Sequence, residues 1–218
     1  MNSERTTTKK SRKRSAALIA ISAMYAALLV GGKEALAALP NIEVVTIFTA
    51  VCAYCWGIAV VLPAVNVFIA VDMAIWGVNT WIISYFIYWN ALALCFWALS
   101  KARFGNKAVE ILCTTALAVA LTTLFGVITT AVDTLVGFTG RGFFFDFDNV
   151  VKRFAAMYVA GAPFFITHVA CNFALFAAAF LPLVMLNRKA KLRIWDSDGQ
   201  SDGQTSEQTN DQTDSKSL

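Results

Sequence analysis

The chain has 218 residues, 58% apolar and 15% charged, with a mean hydropathy of +0.61. Soluble domains carry about 45–50% apolar and about 25% charged residues, so a water-soluble globule is excluded. The net charge of +4 hides an uneven distribution: six Lys/Arg lie in residues 1–14 and six of the fourteen Asp/Glu in 196–218, which reads as an integral membrane protein with two polar tails.

A bilayer core of about 30 Å takes roughly 20 apolar residues as helix. By that measure a first span runs from Ala16 to Leu39, behind a basic tail (1–14) that holds the N-terminus in the cytoplasm. Ala35-Leu36-Ala37 also resembles a signal-peptide cleavage site. Lys33 and Glu34 interrupt the apolar stretch before it, however, and the chain beyond is itself membrane-spanning, which favours an uncleaved helix. The 57 residues from Val44 to Ser100 hold one acidic or basic side chain, Asp72, and end at the basic cluster Lys101, Arg103 and Lys107. Returning to the cytoplasm needs an odd number of crossings. Three helices of about 17–19 residues fit, with turns near Trp56–Pro63 and Gly77–Trp81.

A fifth helix is expected over Ala108–Val132 and a sixth over Ala156–Leu186, ending at Arg188, Lys189, Lys191 and Arg193. The expected fold is therefore an all-α, six-transmembrane-helix bundle over 15–190 with N- and C-termini cytoplasmic. Fourteen of the eighteen Lys/Arg then lie on the cytoplasmic side. The tail 191–218 is acidic and almost without apolar residues after Trp195, so disorder is expected there.

Ionisable and polar groups at membrane depth are candidate functional residues, because a bilayer tolerates them only against a cavity or a partner. On the third helix Asp72, Trp76 and Asn79 fall at i, i+4 and i+7, one face that suits a ligand wall or a polar seam between helices. The fourth helix carries Trp81, Tyr85 and Tyr88 at the same spacing, with Trp89 and Asn90 beside them. Tyr88 and Trp89 lie deeper than an interfacial belt requires, so this surface suits stacking on a ring-shaped ligand. The sixth helix holds the only histidine, His168, with Gly161, Phe165 and Asn172 on its face. Asp146 and Asp148, in the Phe-rich stretch Gly137–Arg153, are a weak Asp-x-Asp motif. The five cysteines lie in apolar runs and read as small hydrophobes, and Cys52-x-x-Cys55 has no second pair or His to complete a metal site. No metal or cofactor is called for.

Ala16, Ala20, Ala23 and Ala27 form a stripe of small side chains on the first helix, a surface on which helix backbones approach closely. It serves packing inside the bundle or against a second protein. The six-helix size, this stripe, the loop Leu39-Pro40-Asn41-Ile42-Glu43-Val44-Val45-Thr46 and the segment Ala160-Gly161-Ala162-Pro163-Phe164-Phe165-Ile166-Thr167-His168 with Asn172 resemble the substrate-binding membrane subunit (S component) of energy-coupling-factor vitamin transporters. The likeness covers about residues 14–190.

The resemblance implies a bundle that captures a vitamin or related micronutrient from outside, without chemistry of its own, in a pocket capped by the first loop. Asn41 and Glu43 would belong to that cap, and His168 and Asn172 to the wall. Ala16, Ala20, Ala23 and Ala27 would dock on a transmembrane coupling subunit that works with two cytoplasmic ATPases. Phe165 stands where relatives carry an acidic residue, which would turn the pocket toward a more apolar or aromatic ligand. A membrane enzyme would need paired catalytic groups at membrane depth, and neither His-Glu-x-x-His nor Gly-x-Ser-x-Gly occurs. A membrane scaffold or assembly protein and a solitary small-molecule carrier are the alternatives.

Overall fold

The computed structural model describes residues 2–139, 142–145, 147 and 149–214, with side chains over 12–137, 144, 145, 147 and 149–195. Arg141, Asp146 and Asp148 lie outside the described residues, as do the last four of the tail. The elements are α1 (Asn2–Ala35), α2 (Val45–Trp56), α3 (Ile58–Trp76), α4 (Thr80–Leu99), α5 (Lys107–Leu135), β1 (Val136–Thr139), β2 (Gly142–Phe145) and α6 (Val150–Asp214). The fold is thus all-α apart from one antiparallel hairpin, which pairs Val136 with Phe145. Among the described residues five helical segments are long and apolar enough to cross a membrane: Arg12–Ala35, Ile58–Trp76, Thr80–Leu99, Lys107–Leu135 and Val150–Trp195. Large apolar side chains such as Ile19, Leu112, Val159 and Ile166 are exposed along them, which fits a membrane protein.

The two interruptions between Val44 and Ser100 have local causes. Gly57 and Gly77 both adopt φ 83, a left-handed conformation that an L side chain resists, so α2 and α3 each stop there. Asn79 then caps α4, its side chain accepting from the Thr80 amide, and Asn106 caps α5 by accepting from the Ala108 amide. The helices between these stops differ from the expected near-equal trio. α2 has only 12 residues, about 18 Å at 1.5 Å per residue, and nearly all of it is buried. It packs against α1, α3, α4 and α6. A helix that is apolar all round belongs in the core, and α2 need not match the full thickness of a bilayer because its neighbours, rather than lipid, surround it. Pro63, expected at a turn, lies inside α3.

α1 extends back through the basic tail to Asn2, and α6 continues through the acidic tail to Asp214, with no proline after Pro182 to stop it. Along α5, Thr114, Thr122, Thr130 and Thr134 each return their hydroxyl to the carbonyl four residues earlier. That satisfies four hydroxyls within the helix itself, and Thr134 also reaches Met157 Sδ on α6.

Contacts between elements define two ends. At one, Lys33 meets Asp72, Trp76 meets Glu34, and Thr80 meets Asp133. This cap end carries the loop 36–44 and the β-hairpin. At the other, Tyr54 meets Glu110, Trp56 meets Asn187, and Lys191 meets the Cys55 carbonyl. This basic end also carries Lys101, Arg103 and Lys107. Between them Phe96, Phe176 and Phe180 are fully buried, with centroids 5.1–5.7 Å apart.

Candidate binding site

A cavity of about 190 Å³ lies at the cap end. Its roof is the segment from Leu36 to Glu43, which leaves α1 through successive turns and passes Asn41 at φ 58, a left-handed position that asparagine tolerates better than most residues. Its walls are aromatic: Phe68 from α3, Tyr85 and Trp89 from α4, and Phe125 from α5. Lys33 from α1 and His168 from α6 complete the lining.

Glu43 fastens the roof. Its carboxylate accepts from the Thr46 amide at 2.8 Å, from the Thr46 hydroxyl, and from Asn172 Nδ2 at 3.1 Å, and His168 Nε2 lies 3.0 Å from it. A carboxylate only accepts, so the contact puts a proton on His168 Nε2. Three of these contacts converge on Oε1 and one reaches Oε2, so both oxygens are engaged. Burial opposes the charge on Glu43, but the hydrogen bonds from His168 and Thr46 outweigh it and hold the carboxyl below the ordinary glutamate range. Glu43, His168 and Asn172 thus form a latch joining the roof to α6, not three separate ligand contacts.

Lys33 is the second polar anchor. Its ammonium pairs with Asp72 Oδ1 and stands 5.0 Å from the Trp81 ring centre and 5.1 Å from that of Tyr85. The aromatic faces add to the ion pair in holding the cation at this depth. Several buried polar atoms close to the cavity have no hydrogen-bond partner among the described residues: Trp89 Nε1, Asp72 Oδ2, Asn172 Oδ1 and the Tyr88 hydroxyl. The last lies near the Thr46 and Thr122 hydroxyls without a well-formed bond to either. Buried polar groups are normally satisfied, so unpartnered atoms grouped near one cavity mark it as a place able to form polar contacts.

Of the residues expected at the site, Asn41, Glu43, Tyr85, Trp89 and His168 line the cavity. Asn172 lies one contact behind through Glu43, and Asp72 one contact behind through Lys33. Tyr88 backs the wall, 4.8 Å from Trp89 and 4.6 Å from Phe125 between ring centres. Trp76 and Asn79 do not line the cavity. The stop at Gly77 ends the helical face they were expected to share with Asp72, leaving Trp76 exposed and bonded to Glu34, and Asn79 engaged as a helix cap.

Phe165 is also elsewhere. It fills the space left by two glycines, so that a Cβ would lie 3.0 Å from its ring at Gly126 and 2.8 Å at Gly161, and it packs α6 against α5. Lys33, Phe68 and Phe125 line the cavity without having been singled out in the sequence. For Lys33 the signal was present, as a basic residue at the end of an apolar span; the two phenylalanines were indistinguishable from core. Ala16, Ala20, Ala23 and Ala27 are all exposed, so the stripe is not used for packing within the bundle.

Neither family models nor curated proteins nor solved structures give a match to this chain.

Proposed function

We propose that this chain is a substrate-capture subunit of an energy-coupling-factor-type importer, taking a vitamin-like small molecule from outside and depending on partner subunits for ATP-driven uptake. The reading includes a bundle crossing the membrane six times at the cell membrane, with both termini cytoplasmic and the cap end outside. The asymmetry of the basic residues supports that orientation, since Lys101, Arg103, Lys107, Arg188, Lys189, Lys191 and Arg193 gather at one end.

The observation that carries the proposal is the cavity under the 36–44 roof, walled by aromatic rings and ringed by unpartnered buried polar atoms. A small-molecule site is expected to combine an apolar lining with a few convergent polar groups. The role is binding rather than catalysis, because each acidic group here is already committed: Glu43 to its four donors and Asp72 to Lys33. The outward-facing Ala16, Ala20, Ala23 and Ala27 supply the surface for the coupling subunit, small enough for a partner helix to approach closely.

Extraction of the tagged full chain from its native membranes in mild detergent, followed by mass spectrometry of proteins and small molecules, tests this. A coupling subunit with two ATPases and a retained organic ligand are the expected result. A chain that recovers neither after crosslinking is a scaffold or a solitary carrier.

A further inference from the structure

The charges and free polar atoms of this cavity bear on what it selects, taking the capture reading above as given. We propose that its ligand is an uncharged planar heterocycle with both hydrogen-bond donors and acceptors on its edge, and that ring compounds carrying net charge of either sign are rejected.

Three observations lead there. First, the charged groups of the cavity are engaged before a ligand arrives. Lys33 is paired with Asp72, and the Glu43 carboxylate already accepts from Thr46 and Asn172 and contacts His168. An ionic ligand would have to displace one of these partners to gain a counter-charge, and an unpaired charge in a low-dielectric site is strongly disfavoured. Second, the aromatic faces beside the cavity's acidic group are already occupied by a cation. The Trp81 and Tyr85 faces already hold the Lys33 ammonium, so an incoming cation would have to displace it from both the rings and Asp72.

Third, the unsatisfied atoms are of both kinds. Trp89 Nε1 can only donate, whereas Asp72 Oδ2 and Asn172 Oδ1 accept; Trp89 is 3% exposed, Asp72 1% and Asn172 0%. The Lys33 ammonium has three N–H donors and uses one on Asp72, leaving donors on a residue that lines the cavity. Trp89 and Lys33 line the cavity and can donate to the carbonyl of a lactam or amide edge, whereas the acceptors Asn172 and Asp72 stand one contact behind, next to Glu43 and Lys33, on the side an adjacent N–H would face; the ring itself lies among Phe68, Tyr85, Trp89 and Phe125. The 190 Å³ volume suits one or two fused rings.

The test is equilibrium dialysis of the full chain in lipid nanodiscs against four probes. Nicotinamide, nicotinate and 1-methylnicotinamide offer one ring in three charge states, and hypoxanthine is a neutral two-ring lactam. Nicotinamide and hypoxanthine are expected to bind at least tenfold more tightly than either charged probe. Lys33→Met frees the Asp72 carboxylate and should switch the preference to 1-methylnicotinamide; Lys33→Met with Asp72→Asn removes both charges and should return it to the neutral probes. Binding of nicotinate or 1-methylnicotinamide to the unaltered chain as tightly as nicotinamide overturns the inference. So does an unchanged ranking in Lys33→Met, or no binding of any probe. In each of those cases a charged or larger organic molecule retained after native extraction leaves the capture reading standing, whereas extraction without any ligand or partner subunit removes that reading too.

Discussion

At the basic end Tyr25 and Trp56 share one acceptor, Asn187 Oδ1, at 2.5 and 3.0 Å; at the cap end Tyr88 and Trp89 are equally buried, yet neither polar atom has a partner among the described residues. The basic end is further closed by Tyr54 on Glu110 and by Lys191 on the Cys55 carbonyl. The same residue types are therefore spent on locking helices at one end and left open around a cavity at the other. Stability is concentrated where the polar groups are satisfied, and binding capacity where they are not, as expected when functional sites break rules that the rest of a fold obeys.

The largest expected effect comes from unbalancing the cap end. Asp72→Ala leaves the Lys33 ammonium without its counter-ion, and loss of one partner from a buried pair costs about 3 kcal/mol. Unfolding in detergent should show a loss of that order, most of which Lys33→Met restores in the double variant. Next is the seam that joins the two ends along α5 and α6. Gly161→Ala puts a methyl 2.8 Å from the Phe165 ring and should cost about 2 kcal/mol by overpacking. Adding Phe165→Ala should relieve the clash, and a non-additive double-mutant cycle would identify it as the cause.

A smaller effect is expected at the latch. The Glu43 carboxyl titrates below its unfolded value, so its contribution is fully present above about pH 4.3 and is lost as the pH falls through the depressed folded value. Cleavage of the 36–44 roof by an acid-active protease should rise steeply below about pH 4 in the unaltered chain. In Glu43→Gln it should be raised already at neutral pH and change little on acidification. A roof equally protected at both pH values in the unaltered chain would show that Glu43 does not hold it.

Much of the helical plan was legible in the sequence. Gly57, Gly77 and the polar 100–106 segment lie in or near the expected turns, because a change in backbone conformation leaves a residue signature. The brevity of α2 was not legible, since length in an apolar run reads the same whether lipid or protein surrounds it. Periodicity grouped Tyr85 with Trp81 and Tyr88, whereas Tyr85 and the neighbouring Trp89 line the cavity, and it extended the Asp72 face through Gly77 to Asn79, because helical spacing predicts neighbours only while the helix lasts. The grouping of Glu43 with His168 and Asn172, more than 120 residues apart, came from resemblance; the hydrogen bonds joining them are visible only in three dimensions. Phe165 was misread because nothing local reveals that Gly126, on another helix, makes room for it.

The most direct test applies one substitution to both ends. Trp56→Phe and Trp89→Phe each delete an indole N–H from a buried ring, and their apparent unfolding temperatures should be compared in the same detergent without ligand. Trp56→Phe gives up the bond to Asn187 and should lose about 1 kcal/mol, or roughly 2–4 °C for a chain of this size. Trp89→Phe gives up no bond and should unfold at the temperature of the unaltered chain or above it, while its ligand affinity falls. If Trp89→Phe instead proves the more destabilising of the two, the cap end is held together by the same kind of lock as the basic end, and the division between them is contradicted.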